Sequence, residues 1–212
     1  MYDKIYCINL DKRTDRWEEF QRDVLEGLEL DKDKFERISA IDTTLLDFKA
    51  SGAIGCSLSH LKAWKDMIDN GYKSALVFED DFQPVVGVDF FNDRVSNLYN
   101  IHPEFSVCCL GWNGGGLSVF LDRGSGFNFA NDIHTTSCYI ITLEYAKLMY
   151  DSVAFGVINM LHDYNRHSSG KNAIDQVWAK FQNHKWLVSS DRIGIQREGY
   201  SDIMENNVNY NI

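Results

Sequence analysis

The chain opens on a short apolar run, "KIYCINL" (4–10), which ends at Asp11 and gives way to a different period. In "TDRWEEFQRDVLEGL" (14–28), Trp17, Phe20, Val24 and Leu28 recur every three or four residues. The first pattern predicts a strand and the second an amphipathic helix. Thr14 is placed to cap that helix, and Asp15, Glu18 and Glu19 sit where its positive end favours acids. "KFERISAID" predicts a second strand. The stretch after it, "SGAIGCSLSHLKAWKDMIDNGY", opens on Gly52 and Gly55, carries Ile54, Leu58, Leu61, Trp64 and Ile68 at helical spacing, and stops at Gly71. "SALVF" (74–78) is apolar without interruption, as befits a parallel strand covered on both faces. Helices in "DFFNDRVSNLYN", "EYAKLMYDSVA" and "NAIDQVWAKFQ" and strands in "FSVCCLG" and "SCYIIT" complete the pattern. Strands alternating with helices predict an α/β fold with right-handed crossovers, a mostly parallel central sheet and helices on both faces.

At 212 residues the chain can bury one sizeable core, and we expect a single domain over 1–212, whether it stands alone or forms part of a longer protein. A formal charge of -10 argues against nucleic acid or an anionic membrane surface as a partner. The N-terminus lacks the pattern of a secretion leader, and no stretch approaches the roughly 18 apolar residues of a membrane span. We therefore expect a cytoplasmic protein, in the host cytoplasm if its source is viral. Five cysteines, Cys7, Cys56, Cys108, Cys109 and Cys138, fit neither a disulfide framework nor a zinc knuckle, so reduced and mostly buried thiols are expected.

Candidate chemistry concentrates at "SALVFEDDFQP" (74–84), where Glu79, Asp80 and Asp81 follow the apolar run directly. Ligands of an open parallel sheet bind beyond the carboxyl ends of its strands, which is where these side chains would emerge. If the segment stayed extended, Glu79 and Asp81 would share a side, offering oxygen ligands suited to Mg²⁺ or Mn²⁺. The alternative is a solvated acidic strand end, although mutual repulsion there would bring no gain. A glycine-rich stretch, "LGWNGGGLSVFLDRGSGFN" (110–128), is expected to be a loop, either a lid with Trp112 or Phe127 covering a ligand or ordinary surface.

Four blocks in order, "IYCINLDKRTDRW", "GAIGCSLSHLKAW", "LVFEDDF" and "QREGYSDI", resemble the signatures of glycosyltransferase family 25. That family includes lipooligosaccharide-building galactosyltransferases and collagen hydroxylysine galactosyltransferases, with relatives in large DNA viruses, among them capsid-glycosylating enzymes of chlorella viruses. The resemblance implies a GT-A fold, a nucleotide-sugar donor such as a UDP-sugar, a glycan or glycoprotein acceptor, a divalent metal and inversion at the anomeric carbon. "EDD" would stand for the family's D-x-D motif, with Glu79 and Asp81 toward Mn²⁺ or Mg²⁺ and Asp80 toward the donor. The Glu in first position leaves open whether Glu79 touches metal, ribose or a water. Asn9, Arg13 and Arg16 would lie near the nucleotide, where arginines can grip phosphate oxygens in bidentate fashion. Their alternative is salt bridging to Asp15 or Glu19 on the helix surface.

Inverting transfer requires one general base. The family pattern puts an acid in the setting of Asp175, which could equally serve only the helix dipole. Asp202 in "GYSDI" would approach diphosphate or metal, or be a turn residue, and Asp202 and Asp132 are the substitutes for the base. His60 reads as a hydrogen-bonded structural residue, and His134, Thr135 and Thr136 as part of a strand that could touch the acceptor. The competing readings are a metal-dependent phosphohydrolase and a catalytically silent sugar-binding domain.

Overall fold

Strand β1 (Lys4–Asn9) is buried along almost its whole length because both of its faces are covered. Ile5 and Cys7 enter one apolar cluster, and Tyr6 and Ile8 the other. This period of two repeats on every central strand and divides the interior into two layers. The computed structural model describes residues 1–43, 51–112, 124–162, 169–201 and 206–208.

After β1 come α1 (Thr14–Phe20), which continues as a wide π turn over Gln21–Glu26, then β2 (Phe35–Ser39), α2 (Ser51–Asn70) and β3 (Ser74–Glu79). They are followed by β4 (Phe82–Pro84), α3 (Val88–Ile101), β5 (Val107–Gly111), β6 (Phe127–Phe129), β7 (Cys138–Thr142) and α4 (Leu143–His162). A 3-10 turn (Ser169–Asn172), α5 (Ile174–Ala179), β8 (Trp186–Ser189), β9 (Gly194–Gln196) and the hairpin of β10 (Gly199–Ser201) and β11 (Asn206–Val208) complete the chain. Gly71 takes φ +68 directly after α2, the left-handed stop that its position predicted.

The main sheet runs β2-β1-β3-β7-β5-β8-β6, with β9 bridging β4 and β5. Five of the seven strands on that path, β2, β1, β3, β5 and β8, point the same way; β7 and β6 run against them. The sheet is thus mostly parallel, with helices on both faces. Helix α1, its π turn and the turn that follows pack Phe20, Val24 and Leu28 with Phe91, Val95 and Leu98 of α3 on one face. On the other, α2 sets Ile54, Leu61, Trp64 and Met67 beside Met149 and Val153 of α4 and Trp178 of α5.

Some local expectations need correction. Thr14 is the first residue of α1, Arg13 holds the N-cap position and no side chain caps that end. Helix α5 is only six residues long. His134, Thr135 and Thr136 precede β7 as irregular backbone and form no strand. Phe127 is 1% exposed in the core and so covers no ligand, while most of the glycine-rich stretch, 113–123, lies outside the described residues. The cysteines are free, and all but Cys56 are buried.

Phe82, just past the acidic residues, explains two glycines. Gly111 and Gly194 pair across β5 and β9, and Phe82, fully buried, lies against them. A Cβ on Gly194 would come 2.1 Å from Phe82 Cζ and 2.7 Å from the Gln83 carbonyl oxygen. Gly194→Ala should therefore destabilise the fold by about 1–3 kcal/mol in urea denaturation, as overpacking does. Phe82→Leu in the same chain should recover part of that loss. A Gly194→Ala protein of unchanged midpoint would show that the ring can step aside.

Candidate active site

Helix α1 leaves β1 on one face toward β2, and α2 returns on the other face toward β3. The carboxyl ends of β1 and β3 therefore flank a point where the winding reverses, the position at which open α/β sheets bind ligands. Asn9 ends β1 and Glu79 ends β3. Asp80 and Asp81 do not continue the extended strand. They form a turn, so alternation is not what places Glu79 and Asp81.

Each carboxylate has different partners. Asp80, 7% exposed, accepts from Asn9 Nδ2 at 2.6 Å and from Arg16 Nη1 at 3.0 Å, so both of its oxygens are occupied. Asn9 is itself held by Arg37, whose Nε and Nη2 donate to its Oδ1 at 2.9 and 2.6 Å. Glu79 Oε1 accepts from Thr136 Oγ1 and lies 3.3 Å from His60 Nε2. Asp81, 6% exposed, accepts from Gln196 Nε2 at 3.0 Å through Oδ2, which is also 3.5 Å from Arg16 Nη1. Its other oxygen, Oδ1, is buried with no hydrogen-bond partner among the described residues.

The electrostatics follow from these contacts. Burial pushes the Asp81 carboxyl up to about 7, with the charges of Glu79 and Asp80 adding to the rise and Arg16 opposing it. Burial likewise raises Asp80, against the pull of Arg16 and Asn9. For Glu79, burial acts upward but is outweighed by His60, Thr136 and Arg16, which hold it below the ordinary range. An anionic Glu79 beside an Asp81 with an unsatisfied oxygen is a donor set that fits a hard divalent cation.

The other expected residues fall as follows. Arg13 binds Asp15 in bidentate fashion at 3.0 and 2.8 Å, the helix-surface alternative, and also donates to the Tyr200 carbonyl at 3.3 Å. Arg16 reaches the carboxylates and donates to the same carbonyl at 2.8 Å. Asp202 lies outside the described residues. Asp175 lies in the first turn of α5, whose first amide, that of Ile174, donates to Ser57 Oγ of α2 at 3.2 Å. Burial raises its carboxyl above the usual range, hydrogen bonds from Gln176 oppose this, and Glu79 is among the charges that act on it. Asp132, at φ +60, accepts from His134 Nε2 at 2.6 Å, and Gln176 Nε2 donates to His134 Nδ1 at 3.0 Å. Sequence reasoning missed Gln196 and the site environment of Cys56, although each stands in one of the quoted blocks.

Residues 49–92, which contain the triplet, match the model for Glycosyltransferase family 25 (LPS biosynthesis protein). Procollagen galactosyltransferase 2 of Homo sapiens is 31% identical over 203 residues, covering 78% of this chain and 31% of that protein. The chain is similar to this family over most of its length. Procollagen galactosyltransferase 1 of Danio rerio is 29% identical over 119 residues, 46% of this chain and 18% of that protein. The chain spans under a third of the length of these relatives. A solved glycosyltransferase involved in the glycosylation of the major capsid of PBCV-1 superposes with a TM-score of 0.53 at 11% identity, covering 93% of each chain, and shares the GT-A-like fold. Among the described residues of the domain, no helix is long and apolar enough to cross a membrane.

A folded-state value raised above the ordinary 3.8 means that ionising Asp81 opposes folding as pH rises from about 4 through about 7. Asp81→Asn should therefore stabilise the metal-free domain by on the order of 1–3 kcal/mol at pH 8, with the gain vanishing near pH 4. Thermal melts of both proteins across this range check it, and a pH-independent difference would contradict it.

Proposed function

We propose that this domain transfers a hexose from a UDP-sugar to a hydroxyl of a glycan or glycoprotein, with inversion and with the help of Mn²⁺ or Mg²⁺. The observation that carries the reading is the buried Asp81 Oδ1, without a hydrogen-bond partner among the described residues, in a group of three carboxylates at the end of β3. Glu79 and Asp81 are the residues that would hold the cation. When bound, it supplies positive charge for the departing diphosphate. Arg13 and Arg16 offer their guanidinium groups to the same phosphates, exchanging the Tyr200 carbonyl for ligand oxygens. Asn9 and Asp80 brace this edge of the nucleotide site, and Asp202 contributes from the C-terminal segment.

The base in this reading is Asp175, whose carboxyl burial raises above the usual range, the direction that makes it a better proton acceptor. The acceptor oxygen forms a bond to the anomeric carbon on the face opposite the leaving group, and its proton passes to Asp175. The bond from the anomeric carbon to the phosphate oxygen breaks, and its electron pair leaves with UDP. Charge that develops on the diphosphate is met by groups already in place, which is usually the largest catalytic contribution.

A panel of nucleotide sugars, each with and without Mn²⁺, should show thermal stabilisation and slow donor hydrolysis for a UDP-hexose, both lost on chelation. No response to any nucleotide sugar would remove the transferase reading, and phosphate release without a sugar acceptor would make the domain a phosphohydrolase. Asp175→Asn should lower transfer by about 10²- to 10⁴-fold while UDP-sugar affinity stays close to that of the parent protein. Turnover near the parent rate would assign the base elsewhere.

A further inference from the structure

Cys56 Sγ, a ring nitrogen of His60 and a carboxylate oxygen of Glu79 lie within 4.8 Å of one another, a group that could be read as a site for a soft metal. The hydrogen bonds around His60 point elsewhere. Trp64 Nε1 can only donate, and it does so to Tyr139 Oη at 2.9 Å. His60 Nδ1 lies 2.8 Å from that oxygen and is the acceptor open to the Tyr139 hydroxyl hydrogen. Nδ1 therefore accepts, Nε2 carries the hydrogen, and Nε2 donates to Glu79 Oε1. The opposite tautomer would leave a buried hydroxyl without an acceptor and set the Nε2 lone pair against a carboxylate oxygen, each an unsatisfied buried group. A doubly protonated ring also donates through Nε2. Trp64, His60 and Tyr139 are all 0% exposed, so water cannot relieve the alternative arrangement.

Building on the metal-dependent reading above, we infer that His60 is a positioning residue: the buried series Trp64, Tyr139, His60 holds the Glu79 carboxylate for a hard cation and does not itself bind metal. His60 and Thr136 both donate to Oε1 of Glu79, which leaves Oε2 as the oxygen available to the cation. Two donors on one oxygen select a single side-chain orientation. A nitrogen that carries a hydrogen has no lone pair to offer, which disfavours zinc-like chemistry at Cys56 while leaving an all-oxygen ligand set for Mg²⁺ or Mn²⁺. Groups that orient a metal-ligating side chain typically matter by 10- to 100-fold in metal affinity.

The test is Mn²⁺ binding to the whole chain in the presence of UDP, read as free Mn²⁺ by electron paramagnetic resonance. His60→Leu should weaken Mn²⁺ by about 10- to 100-fold. His60→Gln, whose amide can donate from near the position of Nε2, should recover most of that loss. Thr136→Val should also weaken binding, and it decides the matter if His60→Leu fails to fold by circular dichroism. Parent-like Mn²⁺ affinity in folded His60→Leu or Thr136→Val would overturn the inference and leave the transferase reading intact. A thiolate-to-cobalt absorption band on adding Co²⁺, lost in Cys56→Ser, would also overturn it, because His60 would then belong to a metal site. Failure of the parent protein with UDP to bind Mn²⁺ at all would remove the metal-dependent reading itself.

Discussion

Carrying Glu79, Asp80 and Asp81 to the buried end of a core strand strips away the water that would screen their repulsion, with Asp80 and Asp81 only 7% and 6% exposed. Two like charges 4 Å apart repel by about 4 kcal/mol at an effective dielectric constant near 20. One guanidinium, that of Arg16, reaches Asp80 and Asp81 directly. It can balance one of them, and the other must take a proton, a cation or a strong set of donors. Asp80 gets the donors and Asp81 takes the upward shift to about 7. The unequal treatment of adjacent carboxylates is what turns an acidic strand end into a candidate cation site.

The groups that divide the charge in this way come from across the chain. Asn9 ends β1, Arg16 lies on α1, His60 on α2, Thr136 just before β7 and Gln196 on β9. They meet because the crossovers from β1 to β2 and from β2 to β3 pass on opposite faces, opening the sheet at its carboxyl edge. Helix α5, which carries Asp175, is tied to α2 through Ser57 and adds Trp178 to the layer that holds Trp64 and Tyr139. Phe82 and the Gly111–Gly194 pair then anchor the turn that carries Asp80 and Asp81, allowing the chain to reverse into β4.

Most of the regular structure could be read in advance because each long element is coupled to one periodicity. The unbroken apolar run of β3 and the stripe of α2 through Ile54, Leu61 and Trp64 are direct consequences of burial on two faces or one. Short elements escaped for the same reason. The three-residue strands β4, β6 and β9 hold too few positions to show a period, and pairing across the sheet alone defines them. The antiparallel course of β7 through a mostly parallel sheet is also invisible locally, since a buried strand has the same composition in either direction.

At the site, the acidic triplet, its place after a buried strand and its resemblance to family 25 were legible from the residues alone, because all three depend on contiguous sequence. The division of labour was not. In the sequence Asp80 and Asp81 are neighbours of one kind; in the fold a turn sends one to Asn9 and Arg16 and the other to Gln196, 115 positions away. His60 could be foreseen as a hydrogen-bonded residue, but its pairing with Tyr139 and Glu79 depends on α2 crossing β3 and β7 at one height. Composition and periodicity determine which segments must be buried and where charge will be uncomfortable. Only the tertiary contacts decide which charge keeps its proton, because that depends on donors brought from distant parts of the chain into one place without water.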